Sequence, residues 1–142
     1  MEWSGIVIHH TASPDVSWRE IDRWHRERGW SGIGYHFLVR ENGFIELGRN
    51  IDTQGAHARG KNDTHIGIAY TGEGNERPPT LTQISSLCFL VGGLMNKYGI
   101  AWENIEGHHE QCPGSRFPWG ALKLKVRFFN GEQILEGGEK GD

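Results

Sequence analysis

Gly5-Ile6-Val7-Ile8-His9-His10-Thr11 decides the fold. Three consecutive β-branched residues read as a strand buried on both faces, and the polar residues after them are delivered at its C-terminal end. Open α/β sheets place their sites outside the carboxyl ends of strands, so His9 and His10 stand where chemistry is expected. Adjacent strand residues face opposite sides, and only one of the two can look into a site.

Downstream of this strand, Ser13-Pro14-Asp15 breaks the chain, and Ser17-Trp18-Arg19-Glu20 is a Ser-x-x-Glu capping box with Val16 and Ile21 placed as a hydrophobic staple. The pattern predicts a helix over 18–28, with Trp18, Ile21 and Trp24 on its inner face and Gly29 at the left-handed position that ends it. Strand-like runs at 34–40 and 43–47 flank Asn42-Gly43, a hairpin signal. From 48 to 64 the chain is polar and Gly-rich without a sustained period, and loops of that length are more often functional than idle. Ile66-Gly67-Ile68-Ala69-Tyr70 resumes as a buried strand. Thr80-x-x-Gln83 then opens an amphipathic helix, whose Leu81, Ile84, Leu87, Cys88, Val91, Leu94, Met95 and Tyr98 repeat at helical spacing. Ile105-Glu106-Gly107-His108 leads into Cys112-Pro113-Gly114, and Trp119, Leu122, Val126 and Phe129 predict a last helix after Pro118.

A chain of 142 residues allows one domain with its own core. The expected organisation is a domain over 1–130 and an acidic, Gly-rich tail over 131–142 that is loosely ordered. That tail carries Glu132, Glu136, Glu139 and Asp142 against Lys140, which accounts for the whole net charge of −3. The neutral body exerts no general pull on a polyanion, and the cluster Arg19, Arg23, Arg26 and Arg28 reads as a solvated helix face, so no nucleic-acid partner is expected. No apolar run approaches the length of a bilayer span, and Met1-Glu2-Trp3-Ser4 lacks the start of a secretion signal. The sequence therefore predicts a soluble monomer made in the cytoplasm without stable membrane association.

Two cysteines make no disulfide framework, and eight histidines are the outlying count. Cys88 falls on the apolar face of the second helix and reads as a small core hydrophobe. Cys112 is different, because His108-x3-Cys112 brings two borderline-soft donors close together, with Pro113 limiting the loop. Zinc accepts imidazole nitrogen and thiolate, and a catalytic site supplies three protein ligands while leaving the fourth position to water. His9 can supply the third ligand. His25 and His65 lack a ligand-like context.

Ile6-Val7-Ile8-His9-His10-Thr11-Ala12, Gly32-Ile33-Gly34-Tyr35-His36-Phe37, Gly55-Ala56-His57-Ala58, Ile66-Gly67-Ile68-Ala69 and Gly107-His108…Cys112-Pro113-Gly114, in this order, resemble the zinc-dependent N-acetylmuramoyl-L-alanine amidases. That family includes amidase-type phage lysozymes and the peptidoglycan recognition proteins. The resemblance implies an α/β fold of the peptidoglycan recognition protein type: a single domain with a mixed central β-sheet flanked by helices and a substrate groove across the metal face. It implies zinc on His9, His108 and Cys112, and it matches Tyr35 to the catalytic tyrosine beside the attacking water. The implied activity is hydrolysis of the amide joining N-acetylmuramic acid to L-alanine. The chain departs from the family in its short loop, His109-Glu110-Gln111, where the position two before the thiolate is Glu110 rather than a residue that steadies an oxyanion. Three readings follow: His109 steadies the oxyanion instead, or Glu110 is a catalytic proton carrier, or activity is weakened; a solvent-facing Glu110 is the favoured orientation. Trp30, His36, His57 and Arg59 are the candidate substrate-binding residues, by hydrogen bonding in the groove, stacking on sugar or pairing with a peptide carboxylate, with support of neighbouring site residues or packing as the equal alternative.

The expected partner is therefore peptidoglycan or a muropeptide. A phage or prophage endolysin, released to the wall by a holin-type protein, fits the sequence best. The alternatives are a cytosolic muropeptide-recycling amidase and a non-catalytic peptidoglycan-binding module, and retention of His9, His108, Cys112 and Tyr35 stands against the second.

Overall fold

Six consecutive buried residues, Gly5–His10, form β1, and every other element is placed relative to that strand. The computed structural model describes residues 1–129; the expectation of a loosely ordered tail lies outside them. In chain order the elements are α1 (Trp18–Glu27), β2 (Phe37–Val39), β3 (Ile45–Leu47), β4 (His65–Tyr70), α2 (Leu81–Tyr98), β5 (Ile105–Gly107) and α3 (Trp119–Phe129), with one turn of 3-10 helix over Trp102–Asn104 before β5. The sheet order is β3-β2-β4-β1-β5. β1 runs parallel to both β4 and β5, β2 is parallel to β4, and the β2–β3 hairpin is antiparallel. This is the mixed sheet flanked by helices that the sequence predicts.

Strand parity divides the core. Ile6 and Ile8 of β1 join Ile66, Ile68 and Tyr70 of β4 beneath Leu87, Cys88 and Val91 of α2 and Leu122 and Val126 of α3. On the other face a smaller cluster of Ile21, Ile33, Leu38 and Ala69 takes Trp18, Trp24 and Tyr35 against it. On this α1 side β4 begins with His65 but then presents only Gly67 and Ala69, so the layer is hollow where histidines gather. No helix among the described residues is long and apolar enough to cross a membrane.

α2 carries both halves of its capping box, Thr80 with Gln83, and ends on Gly99 in the left-handed region. α1 behaves otherwise. Ser17 is its N-cap but makes no side-chain cap bond; the Trp18 N–H instead donates to Glu46 Oε1 from the hairpin, at 2.8 Å. Glu20, the expected partner, is drawn into an ion pair with Arg23. The arginines of this helix pair largely with its own acids, Arg23 with Glu27 and Arg26 with Asp22 as well, which suits a solvated face. The strand expected over 34–40 is shorter, because the carbonyls of Gly34 and Tyr35 accept from Ala56 and Arg49 of the long loop.

Asp15 ties the loop after β1 to the hairpin. Its carboxylate accepts from Arg40 Nε and Nη2, the Glu41 N–H and the Thr71 hydroxyl. The Arg40 guanidinium, with the Thr71 and Glu41 donors, outweighs partial burial and holds the carboxyl down to about 2. A depressed carboxyl contributes its stability in full above its unfolded value and loses it as pH falls through about 2. Discounted for solvent screening at this accessible position, Asp15→Asn should cost about 1 kcal/mol at pH 7. The gap from the parent chain should close as chemical denaturation is repeated from pH 5 down to pH 2.

Candidate metal centre

Register builds the site. β1 pairs Ile8 with Gly107 of β5, so the next residues of the two parallel strands, His9 and His108, emerge side by side at the carboxyl end. Their ring centroids lie 4.7 Å apart. Immediately beyond, His109 and Cys112 exchange two backbone hydrogen bonds, His109 N–H to Cys112 O and Cys112 N–H to His109 O, each 3.0 Å. This tight turn brings the thiol back beside the imidazoles, so the short loop is long enough to close the triangle. From the other face of the sheet the Tyr70 hydroxyl donates to the Pro113 carbonyl at 2.7 Å. The cysteine segment is also packed against the loop before α2, since a Cβ on Gly114 would meet the Gly74 backbone at 2.1 Å.

His9 Nδ1 stands 3.7 Å from Cys112 Sγ. Two ligands at ordinary Zn–N and Zn–S lengths on a tetrahedral ion are about 3.6 Å apart. The ligand atoms of His9, His108 and Cys112 all lie within 4.8 Å of one another, so the three residues fit a tetrahedral ion with one position open. His9 and Cys112 are buried and His108 is exposed. Burial, reinforced by the imidazoles of His57 and His108, holds His9 well below the usual histidine range, so it is neutral and able to ligate. Burial pushes the Cys112 thiol up to about 11, and a metal arriving there displaces a proton.

The triad forms the floor of a cleft of about 380 Å³. Tyr35 stands beside His9, ring centroids 5.0 Å apart, and burial followed by the neighbouring Cys112 pushes its phenol up to about 12. It is a neutral hydroxyl at any working pH. The α1 side of the cleft is lined by His25, Arg28 and Trp30, and the opposite side by Glu73 and Asn75. Arg28 stacks over the Trp30 ring at 5.6 Å. His25 is absent from the sequence-derived candidates, although it lies one turn after Ile21 on the inner face of α1. Its Nδ1 accepts the Gly34 N–H at 2.9 Å, and burial, then Arg28 and Arg49, lowers its pKa to about 4. The neutral ring therefore carries its proton on Nε2, a donor at the cleft wall.

Not every expected residue comes to the site. His36 is 1% exposed; its Nδ1 accepts from Gly67 N–H and its Nε2 faces the Thr53 carbonyl, so both nitrogens are committed to backbone and the ring supports the fold. His57 touches the cleft, yet its nitrogens are taken by His9 and by the His65 carbonyl. Arg59 is exposed and lies outside the cleft lining, where Arg28 is the available cation. Glu110 is exposed and lines a neighbouring cleft with Glu106 and Trp119. The outward orientation favoured for it is the one observed, because the His109–Cys112 turn carries Glu110 at its tip. Trp30 is the substrate-binding candidate that the structure leaves accessible at the wall, at 39% exposed.

A family model described as N-acetylmuramoyl-L-alanine amidase matches residues 1–115, a span that holds the triad and Tyr35. The endolysin of Klebsiella phage KP32 is 38% identical over 120 residues, covering 79% of this chain and 78% of that protein. Among solved structures, the N-acetylmuramoyl-L-alanine amidase LysC from Clostridium intestinale URNW aligns with a TM-score of 0.85 at 40% identity, over 89% of this chain and 87% of that one. Drosophila PGRP-LB aligns with a TM-score of 0.71 at 27% identity, over 89% and 83% of the two chains.

Metal analysis of the purified protein should find one transition-metal ion per chain. Removing a ligand by Cys112→Ala should weaken retention by more than about a hundredfold, beyond what loss of an outer-shell partner costs, as read by competition with a chromophoric chelator.

Proposed function

Since the chain belongs to the N-acetylmuramoyl-L-alanine amidase family, we propose that it hydrolyses the amide between N-acetylmuramic acid and L-alanine in bacterial peptidoglycan, with zinc on His9, His108 and Cys112. The observation that carries this reading is the convergence of two imidazoles and a thiol, from sequence positions about a hundred residues apart, at one end of a cleft that also holds a tyrosine. When bound, zinc supplies Lewis acidity for the scissile carbonyl and lowers the pKa of a water toward neutrality.

The protein's own residues supply orientation and a proton. Tyr35, neutral and beside His9, donates a hydrogen bond to the oxygen that gains charge as the amide carbonyl is attacked. His25 presents Nε2–H from the α1 wall and can hold a substrate carbonyl. Trp30 offers an aromatic face for a sugar ring, and Arg28 a cation for a peptide carboxylate. Glu110, at the tip of the turn and facing away, is assigned no part in proton transfer. The substrate we favour is polymeric wall, as for an endolysin, because the phage relative is matched over most of both chains. We place its action after release from the cytoplasm by a second protein.

Digests of purified cell walls should show new alanine amino groups and no new reducing sugar, with turbidity falling and a chelator stopping both. Reducing ends would identify a glycosidase, soluble muropeptides as the preferred substrate a recycling enzyme, and wall binding without release a recognition module. Tyr35→Phe should lower kcat by about 10²-fold while KM changes little, since the lost donor acts in the transition state.

A further inference from the structure

His57 reaches no solvent-facing role, and its surroundings are built to hold it in one orientation. Its ring is seated between two glycines. A Cβ on Gly67 would lie 2.6 Å from His57 Cγ, and one on Gly55 would lie 2.5 Å from Cδ2. Asn62 Oδ1 accepts both the His57 and the Ala58 N–H, at 2.7 and 2.9 Å, fixing the backbone that carries the ring. His57 Nε2 then lies 2.9 Å from the carbonyl of His65, and its Nδ1 lies 2.9 Å from His9 Nε2.

A carbonyl oxygen accepts only, so His57 Nε2 carries a proton. The ring is buried, with both nitrogens committed to neutral partners, and no carboxylate among those contacts balances a charge. A neutral imidazole that holds its proton on Nε2 has a bare Nδ1. That nitrogen must accept from His9 Nε2–H, which leaves the lone pair of His9 on Nδ1, the atom 3.7 Å from Cys112 Sγ. We propose that His57 is a positioning residue that sets the tautomer and ring orientation of His9, relaying the polarity of the β4 carbonyl of His65 to the metal-facing nitrogen. His57 does not touch substrate in this assignment. The argument rests on the metal-binding reading of His9, His108 and Cys112, and it extends that site one shell outward, where partners of ligating histidines carry much of the affinity. Gly67 has a consequent role: the absence of its side chain makes the space the relay occupies.

Two measurements decide it. In the metal-free protein, nitrogen-detected NMR of the imidazoles should show His9 and His57 both as Nε2–H tautomers; a proton on Nδ1 of either ring overturns the relay, whether or not the protein takes up metal. Zinc competition should show His57→Leu binding about 10- to 100-fold more weakly than the parent chain. His57→Asn, whose Oδ1 replaces the accepting Nδ1, should stay within about threefold of it. Leu binding as tightly as His, or Asn as weakly as Leu while melting of the metal-free proteins stays alike, overturns the assignment. Should His57→Leu fail to fold, Gly67→Ala, which displaces the ring without altering a ligand, should weaken zinc over the same range, and undiminished binding overturns the proposal. A parent chain that takes up no zinc defeats the metal centre itself, and the tautomers then decide the relay independently.

Discussion

The parallel register of β1 between β4 and β5 is the constraint on which the rest depends. A one-residue slip along β5 would exchange the faces of every side chain on the strand and carry His108 away from His9. Burial prevents a slip of β1 along β5, because Ile6 and Ile8 would leave the α2–α3 core together. The same apolar residues that make β1 a strand therefore fix the distance between two imidazoles. Positioning of the third donor is local, by a turn that needs only two residues between its hydrogen-bonded ends.

Parity then assigns chemistry to one face. Ile6 and Ile8 of β1 with Ile66, Ile68 and Tyr70 of β4 fill the apolar layer beneath α2 and α3, whereas after His65 β4 offers only Gly67 and Ala69 toward α1. The hollow admits the buried rings of His9, His36 and His57, and a Val or Ile at position 67 would exclude that of His57. Burial keeps these rings neutral; backbone carbonyls hold His36 and His57, and His9 pairs with His57. Electrostatics of the cleft is thus set less by charged side chains than by desolvation and by fixed peptide dipoles.

Much of this was legible in the sequence, and the exceptions share a cause. β1, the hairpin and α2 with its capping box could be read because each depends on periodicity or on a short local pattern, whereas the candidate set His9, His108 and Cys112 rests on a resemblance whose motifs span the chain. The cap of α1 could not, since Glu46 reaches it from 28 residues away and frees Glu20 to pair elsewhere. His36 and His57 look alike in their motifs, and only the folded chain shows that one is bound to Thr53 and Gly67 and the other to His9 and His65. Arg59 carries charge near a motif yet lies outside the cleft, whereas Arg28, the C-cap of α1, lines it. His25 left a signal that composition alone obscured: it follows Ile21 by one helical turn and so must share its buried face.

His108 is the exposed corner of an otherwise buried triad, and this asymmetry bears on kinetics. An ion enclosed on all sides is traded only when the surrounding chain opens, at a rate set by local unfolding. For an ion held by these three residues the rim would be open at one vertex, so a competing ligand in solution could reach it directly, and exchange of the ion would be governed by associative attack rather than by breathing of the sheet.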